Sequence, residues 1–474
     1  MGLCELLDEK IKNGRVTVLG IGVSNRPLIK YLLDRGARVT ARDKKSFEML
    51  MPHSKELEEK GVELILGDAY LEDITEDVIF RAPGIRPDLP QIKKACNKGA
   101  LLTSEMELFF ELTPATVLAV TGSDGKTTTT TLTYKMLEAE LAKNGKGRVW
   151  VGGNIGTPLL QYVDDMTEND FAVVELSSFQ LHTMRRSPKR AIITNITPNH
   201  LDWHTGMDEY TEAKCNICKH KPIEHLTVNA ENELSAMIGS KAEIGVTFFS
   251  SVETDFLSVT KGKDNACAIF EKDGYITFSD GKTKEKIIKT DEIKLPGRHN
   301  VENYMAAISI TRGLVSNETV AEVARTFGGV AHRLEFVREL DGVKYYNSSI
   351  DSSPSRTAAA LSALAQKPII ICGGYDKNIP FEPLATALCD RAKKVVLTGA
   401  TAPKIMAALL ACPSFEAEKL PVIEKKDFEE AVKAARSEAE NGDIVLLSPA
   451  CASFDAFVNF EERGNRFKCI VNDF

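Results

Sequence analysis

The chain has 474 residues, 43% of them hydrophobic and 27% charged, with a formal net charge of -8. That length favours two to four domains over one core, with three as the working number, and the mixture excludes a disordered or fibrous chain. The acidic balance excludes a general nucleic-acid binder, and the absence of a long apolar stretch or of an apolar core in the start MGLCELLDEK predicts a cytoplasmic protein with no membrane span.

RVTVLGIG (residues 15–22) is a β-branched run ending in glycines, and PLIKYLLDRG after it has helical spacing that ends at Gly36. RVTARD, VELILG and DVIFRAPG continue an alternating β/α pattern, so residues 1–109 read as a Rossmann-like domain. A second α/β unit opens at ATVLAVTGSDGKTTTTTLTYKMLEAEL, with further strands at FAVVELSS and RAIITNIT. Residues 226 to 293 carry short alternating pieces such as VTFFS, ACAIF and YITFS, which predict a small β-rich elaboration. LPGRHNVENYMAAISITRGL enters a helix that closes this central P-loop domain, residues 110–329. KPIIICGG, AKKVVLTGA and GDIVLLSPA are nearly continuous apolar runs, each followed by a helical stretch, so residues 330–474 are expected to form a third α/β domain around a parallel sheet. The ten cysteines lack paired spacing and are expected to be reduced. Cys215 and Cys218 have C-x-x-C spacing, but no second pair completes a zinc site, so they read as helix residues.

The strongest chemical signal is Gly122-Ser123-Asp124-Gly125-Lys126-Thr127 between a strand and a helix. Backbone N–H groups of such a loop bind phosphate oxygens, Lys126 would neutralise the β- and γ-phosphates, and Thr127 can ligate Mg²⁺. The pattern departs from the full P-loop because Val120 stands where Gly is expected. A lysine in the first helical turn opposes the helix dipole and needs another reason to be there. A second turn, Gly20-Ile21-Gly22-Val23-Ser24-Asn25, precedes a helix, with Asp43 at the end of the next strand, which is most of a dinucleotide fingerprint. Two glycine-rich loops on consecutive domains suggest two nucleotide-bearing ligands. Glu175, His200 and Asp202 follow buried strands of the sheet that carries the phosphate loop, where they could hold Mg²⁺.

The segments VTGSDGKTTTT, GGNIGTPL, ELSSFQL, ITNITPNHLDWH, PGRHNVEN, HRLE and SPACASFDAFVNFEERGNRF together resemble the Mur ligases of peptidoglycan synthesis, over residues 20 to 467. The resemblance implies an ATP-dependent, amide-bond-forming ligase that acts on UDP-N-acetylmuramoyl-L-alanine and D-glutamate through an acyl phosphate and uses two Mg²⁺ ions; the chain is expected to be a monomer. It implies that residues 122–127 and Thr128 hold the ATP phosphates, with Asn300 and Asn303 at adenine, Asp351 at the ribose, and Arg333 reaching the phosphates from the third domain on closure. Thr127 and Glu175 would hold one Mg²⁺ ion, and His200 the second, with Lys214 carried as a carbamate formed from CO₂. Gly22, Val23, Ser24, Asn25, Asp43, Lys44, Pro83, Gly84, Asn154 and Gln180 correspond to the UDP-substrate site, and Lys377, Ser453 and Phe460 to the D-glutamate site.

Three departures stand out against that pattern. Asp124 replaces an Asn, so its side chain is expected to point away from phosphate. Asn25 replaces a turn glycine, which Asn tolerates because it visits positive φ readily. NSSIDSS (residues 347–353) lacks the lysine of the usual motif, and Asp351 takes the place of its aspartate. A folylpolyglutamate synthetase-like ligase shares the central ATP motifs but has no need of the N-terminal domain. A non-catalytic nucleotide-binding subunit and an NAD-dependent oxidoreductase are the alternatives from other classes.

Overall fold

The computed structural model describes residues 14–201, 203–253, 255–295, 297–376 and 379–474. These form two compact units, one ending at Thr326 and one from Phe327 to Phe474. No described helix is long and apolar enough to cross a membrane.

The first unit contains two sheets. β1 (Arg15–Leu19), β2 (Arg38–Asp43), β3 (Glu63–Leu66), β4 (Val78–Arg81) and β5 (Leu101–Thr103) pair in parallel in the order β3-β2-β1-β4-β5. The order reverses between β1 and β4, so the loops after these two strands open beside one another, the place where parallel sheets receive ligands. Asp43, at the end of β2, accepts the N–H of Ile21 at 2.7 Å and of Lys45 at 2.9 Å, fixing the turn after β1. Asn25 corrects the sequence reading of that turn. It starts the helix Asn25–Asp34 and is not among the positive-φ residues. Its buried amide instead donates to the carbonyls of Leu19 and Gly20 at 3.2 and 2.9 Å, a brace that a glycine could not supply.

The second sheet has nine strands in the order β14-β13-β12-β11-β10-β9-β6-β8-β7. Their ranges are β6 (Thr116–Thr121), β7 (Val149–Gly153), β8 (Phe171–Glu175), β9 (Arg190–Ile193), β10 (His225–Asn229), β11 (Gly245–Ser250), β12 (Cys267–Lys272), β13 (Tyr275–Ser279) and β14 (Lys284–Lys289). Pairing is parallel from β7 through β12 and antiparallel from β12 to β14. The β-rich elaboration therefore continues the main sheet, with its hairpins at one edge. One apolar cluster runs from Val16 and Phe80 of the first sheet to Val174 and Phe248 of the second, so the two sheets share a core.

The second unit is built on β15 (Glu335–Leu340), β16 (Val343–Asn347), β17 (Ile369–Gly373), β18 (Lys394–Thr398), β19 (Val422–Glu424) and β20 (Ile444–Leu447). Their order is β15-β16-β20-β17-β18-β19, with β15 the antiparallel edge. Apolar layers cover both faces, one around Ile370, Leu397 and Leu446 and the other around Ile371, Val396 and Val445.

Arg463, from the NFEERG segment, is buried in this unit. It donates to Ser349 Oγ and to the carbonyls of Ser349, Ala452 and Cys451 at 2.9 to 3.1 Å. Burial pulls its pKa down to about 10, which leaves it charged at neutral pH. Its work is to hold the loop after β20 against the loop after β16. Arg463→Ala strands several buried acceptors and is expected to destabilise the second unit by about 3 kcal/mol in urea unfolding, with Arg463→Lys recovering only part. A loss below about 1 kcal/mol would contradict this role.

Candidate active site

The phosphate loop lies between β6 and the helix Lys126–Asn144. Gly125 caps that helix in the left-handed region at φ 76°, and Gly122 is at φ 150°. A methyl group at Gly122 would lie 1.8 Å from Thr194 Oγ1, and one at Gly125 would lie 2.4 Å from Asn303 Oδ1, so neither position admits a side chain. The loop is held from below by the end of β9. Thr194 Oγ1 donates to the Asp124 carbonyl at 2.6 Å, and Asn195 accepts the N–H of Ser123 on its carbonyl and of Asp124 on its side chain, at 2.8 and 2.9 Å. Ser123 Oγ donates to the Thr197 carbonyl and accepts from the Thr197 N–H, both at 2.9 Å, so the hydroxyl of Tyr210, also at 2.9 Å, is the donor of that pair. These bonds fix the backbone of Asp124, a residue that is exposed and whose charge is felt at Lys214 and Tyr210. Lys126 Nζ donates to the Ser123 carbonyl at 2.9 Å.

Beneath this loop stands Lys214. Its helix, Met207–Lys219, turns the side chain inward, leaving the residue 1% exposed, and its Nζ donates to the Gly122 carbonyl at 2.6 Å. Burial pushes its pKa well below the ordinary lysine value, and the charge on Lys126 adds to the effect, while Asp124 and Glu175 oppose it. Glu175 ends β8 and is also 1% exposed. Asn154, just after β7, donates through its side chain to Glu175 Oε1 at 2.8 Å. Glu175 Oε2 is buried with no hydrogen-bond partner among the described residues. A buried carboxylate oxygen left without a donor, whose charge is felt at the Lys214 amine, fits a hard cation with oxygen ligands such as Mg²⁺.

His200 stands on the exposed loop after β9 at φ 55°, its ring 4.9 Å from that of Phe179. Gln180 is nearly buried and forms a reciprocal capping box with Ser177. Asn303 accepts from Thr129 Oγ1 and donates to Asn300 Oδ1, both at 3.1 Å, which sets the two amides beside the start of the phosphate-loop helix. Val23 is exposed in the turn after β1, and Lys44 is exposed just after β2. Asp202 and Lys377 lie outside the described residues.

Within the second unit, Asp351 is nearly buried and accepts from Ser448 Oγ at 2.8 Å, and burial raises its pKa. Arg333 lies in the turn between His332 and β15. The Ser453 carbonyl accepts the N–H of Ala456 and Phe457. Phe460 opens the helix Phe460–Asn472, with its ring 6.0 Å from that of His332. Asn347, Ser348 and Ser349 are buried, and the Asn347 amide bonds His332 Nδ1 and Glu335 Oε2, each at 3.0 Å. Sequence reasoning missed Thr194, Asn195 and Tyr210, which hold the phosphate loop. A polar Thr-Asn pair ending the buried strand RAII was the available signal for the first two.

Three family models match the chain in order. They are the Mur ligase MurD-like N-terminal domain over residues 14–104, the Mur ligase middle domain over 120–311, and the Mur ligase glutamate ligase domain over 332–451. The chain belongs to the Mur ligase family. It is similar to the UDP-N-acetylmuramoylalanine--D-glutamate ligases of Acetivibrio thermocellus (46% identity, 98% of this chain and 97% of the relative) and Ruminiclostridium cellulolyticum (47%, 99% and 98%). That of Clostridium botulinum strain Kyoto is 49% identical over 98% of this chain and 97% of its own. Among solved structures, UDP-N-acetylmuramate-alanine ligase from Thermotoga maritima matches 97% of this chain and 100% of its own at 18% identity and a TM-score of 0.54, a likeness of fold.

The buried amine gives this Mur ligase a pH signature. Because the folded pKa of Lys214 is depressed, the unfolded chain binds the extra proton below pH 10.5, and the burden of burying the amine shrinks as pH rises toward that value. In bicarbonate-free buffer, Lys214→Met should therefore be most stabilising relative to the parent chain at low pH, the difference narrowing as pH increases in parallel denaturation curves. A pH-independent difference would mean that the amine titrates normally.

Proposed function

We propose that the chain joins D-glutamate to the L-alanine carboxylate of UDP-N-acetylmuramoyl-L-alanine at the expense of ATP, a cytoplasmic step of peptidoglycan synthesis performed by a monomer. The observation that carries this reading is the meeting of the phosphate loop, the buried Glu175 carboxylate and the buried Lys214 amine, in a chain similar over 98% of its length to D-glutamate ligases. The geometry supports the ATP chemistry, and the relatives supply the two partners.

The reaction proceeds in two displacements. The alanyl carboxylate attacks the γ-phosphorus of ATP, ADP leaves, and an acyl phosphate forms. The D-glutamate amine then attacks the acyl carbon, phosphate departs, and the amine loses a proton as the amide forms. The N–H groups of residues 122–127 cradle the phosphates at the helix N-terminus, and Lys126 spreads the charge that builds on the γ-phosphate. Thr127 and Glu175 would hold one Mg²⁺ ion, and His200 with Lys214 a second, and these ions supply electrostatic stabilisation of the transferring phosphoryl group. An ammonium cannot serve as a ligand, whereas the neutral amine favoured at Lys214 can add CO₂, lose a proton and become an anionic carbamate. Arg333 would add a further positive charge at the ATP phosphates, and Lys377, Ser453 and Phe460 would receive D-glutamate. Most of the acceleration comes from holding the carboxylate in line with the γ-phosphorus and from preorganised charge, each worth several kcal/mol, about 7 or more for positioning alone.

Phosphate release from ATP is expected to require both UDP-N-acetylmuramoyl-L-alanine and an amino acid, and to prefer D-glutamate over L-glutamate. Release that ignores the UDP-sugar would favour folate substrates or a regulatory ATPase, and no release under any combination would favour a nucleotide-binding subunit. Glu175→Gln keeps the shape but removes the charge, so kcat should fall about a hundredfold and the Mg²⁺ requirement should rise, with UDP-sugar binding by calorimetry unchanged. Unaltered Mg²⁺ dependence would remove Glu175 from the metal site.

A further inference from the structure

The loop after β4, residues 82–86, contains the Pro83-Gly84 pair of the proposed diphosphate site, yet two arginines and a tryptophan tie it to the central sheet. Arg81 is buried at the end of β4. It donates to the carbonyls of Pro83 and Ile85 at 2.8 and 2.6 Å, and across to the Phe179 carbonyl at 3.0 Å and Thr183 Oγ1 at 3.2 Å. Trp203 Nε1 donates to the Gly84 carbonyl at 3.0 Å. Arg86 makes a forked pair with Glu209, at 2.9 and 3.3 Å, donates to the Trp203 carbonyl, and lays its guanidinium 4.8 Å from the Trp203 ring centre. Asp88 holds the other edge of the guanidinium at 2.8 and 2.9 Å.

The far side of this contact is the loop that carries His200. The His200 carbonyl accepts the N–H of Trp203 at 3.1 Å and of His204 at 3.0 Å. The His200 loop is thus held at Trp203 by Arg86, and the His200 ring rests against Phe179, whose carbonyl Arg81 holds. A forked arginine–carboxylate pair fixes direction as well as distance, and stacking on an indole removes a further degree of freedom. Among the described residues, His182, His204 and Glu209 alone lie close enough to share a metal ion. Arg86 already neutralises Glu209, however, and a second cation there would be repelled.

We propose that Arg86 and Trp203 form a positioning lock that couples occupancy of the Pro83-Gly84 loop by a uridine diphosphate group to the placement of His200. This rests on the ligase reading, since it presumes that a UDP-bearing substrate fills the loop. Binding at Gly84 is felt by the indole on its carbonyl, and through the Trp203 backbone by the turn that presents His200. Arg86 and Trp203 touch no reacting atom. They act by register, which matters because displacement by about 1 Å at a reacting centre can cost a hundredfold in rate.

The chain has two tryptophans, so a Trp150→Phe background leaves Trp203 as the sole indole reporter. Titrating UDP into this protein should change Trp203 emission along the same saturation curve that calorimetry gives. Adding Arg86→Ala should abolish the optical change while UDP still binds. In ligation assays Arg86→Ala should lower kcat about tenfold or more, with KM for ATP within about twofold of the parent, and Arg86→Lys should recover part of the loss. Trp203→Phe keeps the ring and loses the bond to Gly84, so it should show the same selective fall in kcat even if Arg86→Ala does not fold. UDP binding by calorimetry with silent Trp203 emission, or unchanged kcat in Arg86→Ala or Trp203→Phe, would overturn the lock and leave the ligase reading intact. No UDP binding by calorimetry would overturn the ligase reading and the lock with it.

Discussion

A lysine amine sealed from water cannot stay charged without compensation, and the architecture of the first unit follows from how Lys214 meets that constraint. Its Nζ is held 2.6 Å from the Gly122 carbonyl, beneath a loop whose own lysine makes a second positive charge unwelcome. Burial favours the neutral form, which is the form able to react with CO₂. The same burial leaves one oxygen of Glu175 without a donor among the described residues. A site that buries a lysine amine and leaves a buried carboxylate oxygen unsatisfied is costly in stability, and such costs concentrate where function requires them.

The fold assembles the site at low conformational expense because most of it follows the carboxyl ends of parallel strands, with Lys214 reaching the loop from the helix Met207–Lys219. β6 delivers the phosphate loop, β8 delivers Glu175, β7 leads to Asn154, and β9 leads through Thr194 and Asn195 to His200. Bonds from Thr194, Asn195 and Tyr210 fix the loop before any nucleotide arrives. Preorganisation of this kind means that charge developing on a phosphoryl group meets donors already in place. The first sheet repeats the device at its own switch point, where Asp43 and Asn25 brace the turn after β1.

The alternating strands, the phosphate loop and Glu175 were legible in the sequence because each carries a local signature: a β-branched run, glycines with a lysine, a carboxylate ending an apolar strand. Lys214 was not legible from its own surroundings, since nothing in YTEAK distinguishes a buried lysine from a solvated one. Its place was implied by resemblance alone. Asn25 was read through its backbone, as a residue tolerant of positive φ, whereas its side chain does the work. Arg81 and Arg86 were missed for a related reason. An arginine after an apolar strand reads as the strand's polar end, and only tertiary structure reveals that its partners come from segments about a hundred residues away. The segment 226–293 was read as a β-rich elaboration of the central domain because its short strands alternate, and β10, β11 and β12 pair in parallel with the main sheet.

The most direct test of a neutral, reactive Lys214 is carbon NMR of the protein equilibrated with ¹³C-bicarbonate, alongside Lys214→Arg. A carbamate resonance that is present in the parent chain, strengthened by Mg²⁺ and nucleotide, and missing in the variant is the predicted result. A spectrum with bicarbonate and CO₂ alone, in a preparation that ligates D-glutamate, would contradict it and leave the buried amine as a structural donor to the phosphate loop.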